Sequence, residues 1–468
     1  MSTQILLAPV GAGKTEHVLN QITRTLNTQP FARIWTVLAT KRQEDAFRQR
    51  LIDWDTGKRV FFNVEFFNFY ELYAFLLDMA GNPQRQLNEA ARYALLKSVI
   101  LSVADDLQSF HKIYETPGFL RIVADFIYEL KQNRIYPEDF LDFARPTGRT
   151  KDQDLALIYA SYQAKLQAYN LVDKEGEGWL AVEALRNDID IAGDLSLFIV
   201  DGFDQFNPVQ ADLVALLADR SAKGLITMTN VPGREATVGR RFERALARLQ
   251  ERFDGLDIHK LSNNQADRHP DLQHAIEYAF LRDAALKPLE GGINLLEVPS
   301  VDDEVATALR QVKRMLLEGV PPDEIMIALR DWEQYRSYLL SYRDKYQLPL
   351  VLHYGEPLLE NPAVNAFMTV LSLHEDGFRR RDVLDALRSP YFRWPTLSDD
   401  TIDLLDQMSQ RHNVIGGREA WLEAIAQSSH NEVNEDGEVT HALFNADAAG
   451  QLRADLDDFF AIVTPPDQ

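Results

Sequence analysis

The stretch APVGAGKT, residues 8–15, decides how the sequence is interpreted. It fits the G-x-x-x-x-G-K-S/T pattern of a phosphate-binding loop, except that Ala8 stands in place of the first glycine. The apolar run QILLAPV before it predicts a short buried strand, and TEHVLNQITRTL after it predicts a helix. Backbone N–H groups between a strand and a helix N-terminus can surround phosphate oxygens. The sequence therefore predicts a strand–loop–helix unit that binds the phosphates of a nucleotide.

Five residues of this loop are candidates for contacts with ATP and Mg²⁺. Gly11, Ala12 and Gly13 would bring the backbone close to the phosphates, since the glycines keep side chains out of the turn. Lys14 would reach the β- and γ-phosphates, and Thr15 would offer its hydroxyl to the magnesium ion.

A second segment, SLFIVDGFDQF, predicts a buried strand that ends at Asp201. An acidic residue at the end of an apolar strand is typical of the Walker B element, so Asp201 is the candidate catalytic carboxylate and would orient Mg²⁺ together with Thr15. ATPases of this kind usually place a glutamate next, to position the attacking water. Here Gly202 follows, and Asp204 is the alternative acid. The competing interpretation is a buried strand that ends in an ordinary acidic turn.

Strands alternate with helices along the first part of the chain, which predicts a parallel α/β sheet. An all-helical stretch from about residue 87 to residue 185 interrupts this alternation, as an insertion would. A linker is predicted across residues 263–271, followed by a second α/β unit and then by helices after Gly377. The further predicted strands of the first part cover residues 33–40, 59–67, 194–203 and 223–233, and those of the second unit cover 291–300, 323–331 and 349–354.

Composition limits the classes of protein to consider. A chain of 468 residues suggests two to four domains. The net charge of −22 argues against a nucleic-acid partner over the whole surface but allows a local basic groove. The absence of cysteine excludes disulfides and a cysteine-bound iron–sulfur cluster in this chain. The apolar run ILLAPV is too short for the core of a signal peptide, and no run of 18 apolar residues occurs in the sequence, so a soluble cytoplasmic protein without a membrane contact is expected.

Basic and aromatic residues after the second and third strands are candidates for binding DNA. Lys41 and Arg42 could contact phosphates, and Phe66 and Asn68 could contact bases of a single strand. The competing interpretation is that the aromatic residues fall at helical spacing and belong to the core. The sequence ELK, residues 129–131, is similar to the E-x-K of metal-dependent nucleases, but it lies within an amphipathic helix and is interpreted as structural.

The chain resembles the N-terminal part of the AddB (RexB-like) subunit of bacterial ATP-dependent helicase–nucleases. VDGFDQFNPVQ, residues 200–210, is similar to the D-G-F-x-x-F-x-P-x-Q segment of that family. Residues 117–140 and 151–166 resemble its helical insertion, and residues 302–335 resemble the start of the second motor domain of UvrD-like superfamily-1 proteins. Together these similarities extend over most of residues 1–390.

The resemblance implies a fold of P-loop NTPase (RecA-like) parallel sheets with large all-helical insertions. Domain 1A would cover residues 1–85 and 192–285, the helical insertion 1B residues 86–191, and the first part of domain 2A residues 290–376. Residues 377–468 would belong to the helical insertion 2B, and the chain is expected to stop inside it, as a fragment does. The nuclease domain with its iron–sulfur cluster is expected to be absent from this chain.

Two departures from the family of motors bear on hydrolysis. Gly202 replaces the usual glutamate, and LSNNQAD, residues 261–267, stands where an arginine-bearing motif is expected, so that only Arg268 could steady the γ-phosphate. The resemblance therefore implies a helicase-like region of a DNA exonuclease complex in recombinational repair, with a degenerate or weak ATPase that binds ATP and Mg²⁺ weakly or has only a vestigial site for them. It would bind single- or double-stranded DNA and an AddA-type subunit. The alternatives are an active DNA-dependent ATPase that uses Asp204, and a scaffold without enzymatic activity.

Overall fold

The computed structural model describes residues 2–54, 61–253, 255–261, 268–352, 355, 357–433 and 439–465. The chain divides into two compact units, Met1–Leu295 and Leu296–Gln468.

A six-stranded sheet forms the centre of the first unit. Its order is β3-β2-β6-β7-β1-β8, and all five neighbouring pairs are parallel. Strands β4 and β5 form a separate two-residue parallel pair. The strands are β1 Ser2–Ala8, β2 Arg33–Leu38, β3 Val64–Phe67, β4 Arg85–Gln86, β5 Leu171–Val172, β6 Leu195–Asp201, β7 Lys223–Thr229 and β8 Asp257–Lys260.

Helices cover both faces of this sheet and also form a bundle of their own. They are α1 Lys14–Thr28, α2 Lys41–Trp54, α3 Phe69–Met79, α4 Glu89–Ser102, α5 Pro117–Gln132, α6 Pro137–Thr147, α7 Thr150–Ala168, α8 Lys174–Asn187, α9 Pro208–Arg220, α10 Arg240–Gln250 and α11 Pro270–Tyr278.

The central strands β1, β2, β6 and β7 are apolar on both faces because helices cover each side of the sheet. Successive side chains point to opposite faces. Ile5 and Phe198 therefore pack with α3, α8, α9 and α10 on one face, whereas Leu6 and Leu197 pack with α1 and α2 on the other. These two cores hold β1 and β6 rigidly, and both strands end at the edge of the sheet where the candidate site lies.

The bundle of α4, α5, α6 and α7 has a separate core that includes Val99, Ile127 and Tyr159. Helix α8 follows this bundle in the chain, yet its residues Trp179 and Leu185 belong to the core of the sheet. Helix α8 thus joins the helical bundle to the sheet.

The second unit is helical in the part that the structure describes, apart from one short antiparallel pair of strands. A larger core includes Leu405, Trp421 and Phe460, and a smaller one packs Leu309 against Leu339. The elements are α12 Val301–Leu317, α13 Trp332–Tyr346, α14 Pro362–Ser372, α15 Arg380–Arg388, α16 Asp399–Arg411, α17 Arg418–Gln427, β9 Glu432–Val433, β10 Val439–Thr440 and α18 Ala446–Val463.

The predicted α/β fold with a parallel sheet is confirmed for the first unit. The prediction of a second parallel sheet is wrong, because no strand forms in the described residues of 291–300, 323–331 and 349–352. These runs are apolar, but each leaves a large apolar side chain uncovered: Leu295 is 94% exposed, and Met326 and Val351 are each 74% exposed. An apolar run becomes a strand only when a neighbouring strand takes its hydrogen bonds and a second layer covers its face.

Candidate nucleotide-binding site

The loop between β1 and α1 has the backbone geometry of an anion-binding turn. Gly11 and Gly13 have φ values of 73° and 84°, in the left-handed region that favours glycine. Gly13 is the N-cap of α1, and no side chain caps the helix there. The N–H groups of the first turn of α1 are therefore left for a ligand, and the helix dipole favours a negative one.

The Lys14 ammonium group lies over the same loop. Its Nζ donates hydrogen bonds to the carbonyl oxygens of Ala8 at 3.1 Å and Pro9 at 3.0 Å. Burial lowers the pKa of Lys14, and the negative charge of Asp201 opposes this shift. The loop thus holds a cation beside the uncapped end of α1, as phosphate binding requires.

Asp201 ends β6 on the same side of the sheet and is only 7% exposed. Thr15 Oγ1 donates to Asp201 Oδ2 at 3.5 Å, and Thr227 Oγ1 donates to Asp201 Oδ1. Burial raises the pKa of Asp201, while the hydrogen bond from Thr227 and the charge of Lys14 lower it. A hydroxyl and a carboxylate therefore meet next to the loop, and oxygen ligands of this kind suit Mg²⁺.

The order of the strands explains how residues so far apart in sequence come together. Strand β7 lies between β1 and β6, and all three run parallel. Their carboxyl ends therefore meet at one edge, which is where ligands bind in open α/β sheets. Thr227 joins this edge from β7. Sequence reasoning missed it, although a polar residue in the apolar run LITM was a usable signal.

Gly202, where related ATPases carry an acid, adopts a backbone conformation that side chains disfavour. Its φ is 84°, and a Cβ built there would lie 3.2 Å from Nε2 of Gln43, the third residue of α2. A glutamate at this position would need both a strained backbone and a displaced glutamine. The absence of the acid is thus built into the turn.

The alternative acid, Asp204, is engaged elsewhere. Its carboxylate forms an ion pair with Arg241 of α10 at 2.8 Å. The predicted arginine-bearing region, residues 261–267, lies outside the described residues except for Leu261. Just after it, both Nη atoms of Arg268 lie 3.3 Å from the carbonyl oxygen of Val10 in the loop. The fold therefore brings an arginine, Arg268, to the loop.

Comparison with known proteins bears on the first unit directly. Residues 5–257 match the family described as "ADDB, N-terminal", which is more than half of the chain. The chain belongs to this family. The matched region contains the loop, Asp201 and Thr227, so the AddB family similarity covers the candidate site.

Curated relatives extend the similarity beyond that region. Three of them are named as the B-type subunit of an "ATP-dependent helicase/deoxyribonuclease". The protein of Moorella thermoacetica is 26% identical over 89% of this chain and 38% of its own length. That of Heliobacterium modesticaldum is 24% identical over 96% and 39%, and that of a Thermoanaerobacter species is 20% identical over 76% and 32%. The chain thus spans between 32% and 39% of the length of these AddB-type relatives.

ATP and Mg²⁺ fit the residues that the AddB-type chain presents. The uncapped first turn of α1 and Lys14 supply donors for phosphate, while Thr15 and Asp201 supply oxygen ligands for a magnesium ion. Elsewhere in the described part of the chain, no group of three or more His, Asp or Glu side chains could hold a metal ion. Nor does that part include a helix with the length and apolar character needed to cross a bilayer.

The predicted DNA contacts lie at the start of α2 and at the end of β3, where they have local partners. Lys41 begins α2 and forms ion pairs with Glu44 at 2.8 Å and Asp45 at 3.7 Å, and Arg42 follows it at an exposed position of the first turn. These acids reduce the positive charge that Lys41 could offer to a phosphate.

The other two predicted contacts have structural tasks. Phe66 packs against Phe47, with ring centroids 5.7 Å apart, and lies under the Arg48 guanidinium. The Asn68 side chain caps α3 by accepting hydrogen bonds from the backbone N–H groups of residues 70 and 71. DNA binding by these residues stays a prediction.

Proposed function

We infer that this chain is the N-terminal helicase-like region of an AddB-type subunit of an ATP-dependent helicase–exonuclease, which acts in double-strand break repair by recombination. It binds ATP and Mg²⁺ at the loop of residues 8–15 and hydrolyses ATP weakly. It binds DNA in the cytoplasm and works with an AddA-type helicase–nuclease subunit. The names of the curated relatives support a helicase–deoxyribonuclease complex and its two substrates, ATP and DNA.

A single observation carries this proposal: the loop and the carboxylate of Asp201 come together inside the region that matches the AddB family. A relic sheet without a nucleotide would not need an uncapped α1, a half-buried lysine and a threonine–aspartate contact at one edge. Retention of this set supports nucleotide binding over a scaffold without a ligand.

Each residue of the site has a distinct task in binding. The first-turn N–H groups of α1 and the Lys14 ammonium hold the phosphates, since both are donors directed at one loop. Thr15 and Asp201 orient the magnesium ion, and Thr227 fixes the Asp201 carboxylate from behind. ATP supplies the phosphoanhydride bond whose hydrolysis drives motors of this fold.

The weak hydrolysis follows from what surrounds Asp201. No side chain at position 202 can position a water, and Asp204 is paired with Arg241. Loss of a water-positioning group lowers the rate of phosphoryl transfer by orders of magnitude. An active motor that uses Asp204 would first have to break this ion pair, which makes it the less favoured candidate.

The proposal includes a helicase-type layout. The sheet of the first unit is a RecA-like domain 1A of residues 1–85 and 192–285, and the bundle is an insertion 1B of residues 86–191. Residues 290–376 are proposed as the first part of a domain 2A by their order in the chain, although no strand forms in their described residues, and residues 377–468 as part of an insertion 2B. The separate core of α4 to α7 supports the insertion, and α8, near the C-terminal end of the insertion, packs on the sheet and joins the insertion to domain 1A.

Titration calorimetry with Mg-ATP tests the proposal. We expect one ATP per wild-type chain, and a loss of affinity of at least about tenfold in Lys14→Ala, because a charged hydrogen bond to phosphate is removed. Lys151→Ala is the matched control, since it removes an exposed lysine of α7, outside the loop and outside the candidate binding residues. Absence of ATP binding by the wild-type chain, or equal binding by Lys14→Ala, would contradict the proposal.

A further inference from the structure

Helix α10 carries an arginine surface that sequence reasoning did not single out. Its sequence RRFERALARLQ places arginine at 240, 241, 244 and 248. At 3.6 residues per turn these four side chains fall within an arc of about 100°. Ala245, Leu246 and Leu249 lie on the opposite side and are buried against the sheet. The four arginines are called the α10 arginine surface below.

The charges of this surface are not cancelled within the helix. Arg240 and Arg244 are exposed and form no ion pair with any residue that the structure describes. Arg248 donates to the carbonyl oxygen of Phe206, which leaves its full charge in place. Arg241 pairs with the carboxylate of Asp204. In a protein with a net charge of −22, such a local excess of positive charge is unusual and indicates an anionic ligand.

We propose that the α10 arginine surface binds the phosphate backbone of a nucleic-acid strand. The proposal rests on the DNA-binding function inferred above and names the surface that performs it. Guanidinium groups bind phosphate in a bidentate manner, which favours arginine over lysine. Arg240, Arg244 and Arg248 follow one another at i, i+4 spacing, with Cβ atoms about 5–6 Å apart on one face. A row of that kind can follow successive phosphates of a strand.

The α10 arginine surface also contacts the segment that follows Asp201 of the nucleotide site. Arg241 and Arg248 hold Asp204 and the carbonyl of Phe206, and both of these residues belong to the segment that begins at Asp201. A strand on the α10 arginine surface would therefore contact the two arginines that hold the segment following the magnesium-binding carboxylate. Lys41, in contrast, is already paired with two acids of its own helix.

The test is the salt dependence of binding to a fluorescently labelled oligothymidylate, followed by anisotropy. The variant is Arg240→Ala with Arg244→Ala. Its matched control is Arg379→Ala with Arg381→Ala, which removes two exposed arginines from the second unit and changes the net charge equally. All the substituted side chains are exposed, so the variants are expected to fold.

We expect the α10 variant to lose affinity by about tenfold or more at low salt, and the control by less than about twofold. The slope of log K against log salt should become shallower by about 1.4, because two phosphate contacts on a single strand are lost. Equal slopes in wild type and variant would overturn the proposal. The proposal would also be overturned if the α10 variant lost binding to polyglutamate while its affinity for the oligonucleotide stayed unchanged. That result would indicate an acidic protein partner. Absence of any salt-sensitive binding by the wild type would instead overturn the DNA-binding function itself.

Discussion

At the scale of single residues, the backbone of Gly202 leaves no unstrained place for an acidic side chain directly after Asp201. The residue follows Asp201 directly, and its φ of 84° lies where L-residues with a Cβ are strained. The Gln43 amide of α2 occupies the space beside it that an added side chain would enter. Restoring an acid by substitution would therefore change the turn before it could add catalysis.

We expect Gly202→Ala to destabilise the protein by about 1–2 kcal/mol, because alanine must adopt a left-handed conformation there. Urea denaturation followed by tryptophan fluorescence measures the change in the free energy of unfolding. Gly118→Ala is the control, since Gly118 lies in the first turn of α5 with no atom near an added Cβ. A neutral or stabilising Gly202→Ala would show that the turn is not constrained as described.

At the scale of elements, the start of α8 joins the bundle to the sheet through buried charges. Lys131 of α5 donates to both carboxylate oxygens of Asp173, at 2.6 and 2.7 Å, and Asp173 also caps α8 by accepting from the N–H of Gly176. This ion pair supports the interpretation of residues 129–131 as structural. Glu175, in the first turn of α8, is buried, and its Oε1 has no hydrogen-bond partner among the described residues.

Burial raises the pKa of Glu175 to about 7, and the nearby charge of Asp173 adds to the shift. The folded state thus holds the proton more tightly than the unfolded state. The protonated Glu175 carboxyl group therefore contributes its full stabilisation below about pH 4.5, and this contribution is lost as the pH rises through about 7. At pH 8 we expect the free energy of unfolding of Glu175→Gln to exceed that of wild type by on the order of 2–3 kcal/mol. At pH 5 the two proteins should differ little.

Denaturation curves at the two pH values measure this difference. Glu129→Gln, an exposed substitution on α5, serves as the control and should leave the curves unchanged. A Glu175→Gln variant that is destabilised equally at pH 5 and pH 8 would contradict a protonated, buried carboxyl group in the folded protein.

The elements also show which helices and strands could be predicted from local sequence patterns alone. Helix α1 contains the whole predicted stretch TEHVLNQITRTL, because its apolar residues recur at helical spacing. Strand β1 ends two residues before the predicted end, since Pro9 has no N–H to donate to a sheet. The strands predicted within 291–352 failed because local apolarity does not reveal whether a neighbouring strand exists.

At the scale of the whole molecule, sequence and structure contribute different parts of the account. The motif APVGAGKT and the apolar strand before Asp201 predicted the two halves of the site, because each chemistry depends on a short local pattern. The contacts of Thr227, Gln43 and Arg268 depend on the order of strands and loops in space, so the sequence did not specify them. The α10 arginine surface became recognisable only once its partners, Asp204 and Phe206, were located.

The central claim is that the chain binds ATP at an intact phosphate loop but lacks the means to hydrolyse it quickly. Steady-state ATP turnover with and without single-stranded DNA, in wild type and Lys14→Ala, tests this claim most directly. We predict turnover far below the range of roughly 1–1000 per second found for typical enzymes, with less than about twofold stimulation by DNA. DNA-stimulated turnover within that range, abolished by Lys14→Ala, would contradict the account and identify an active motor.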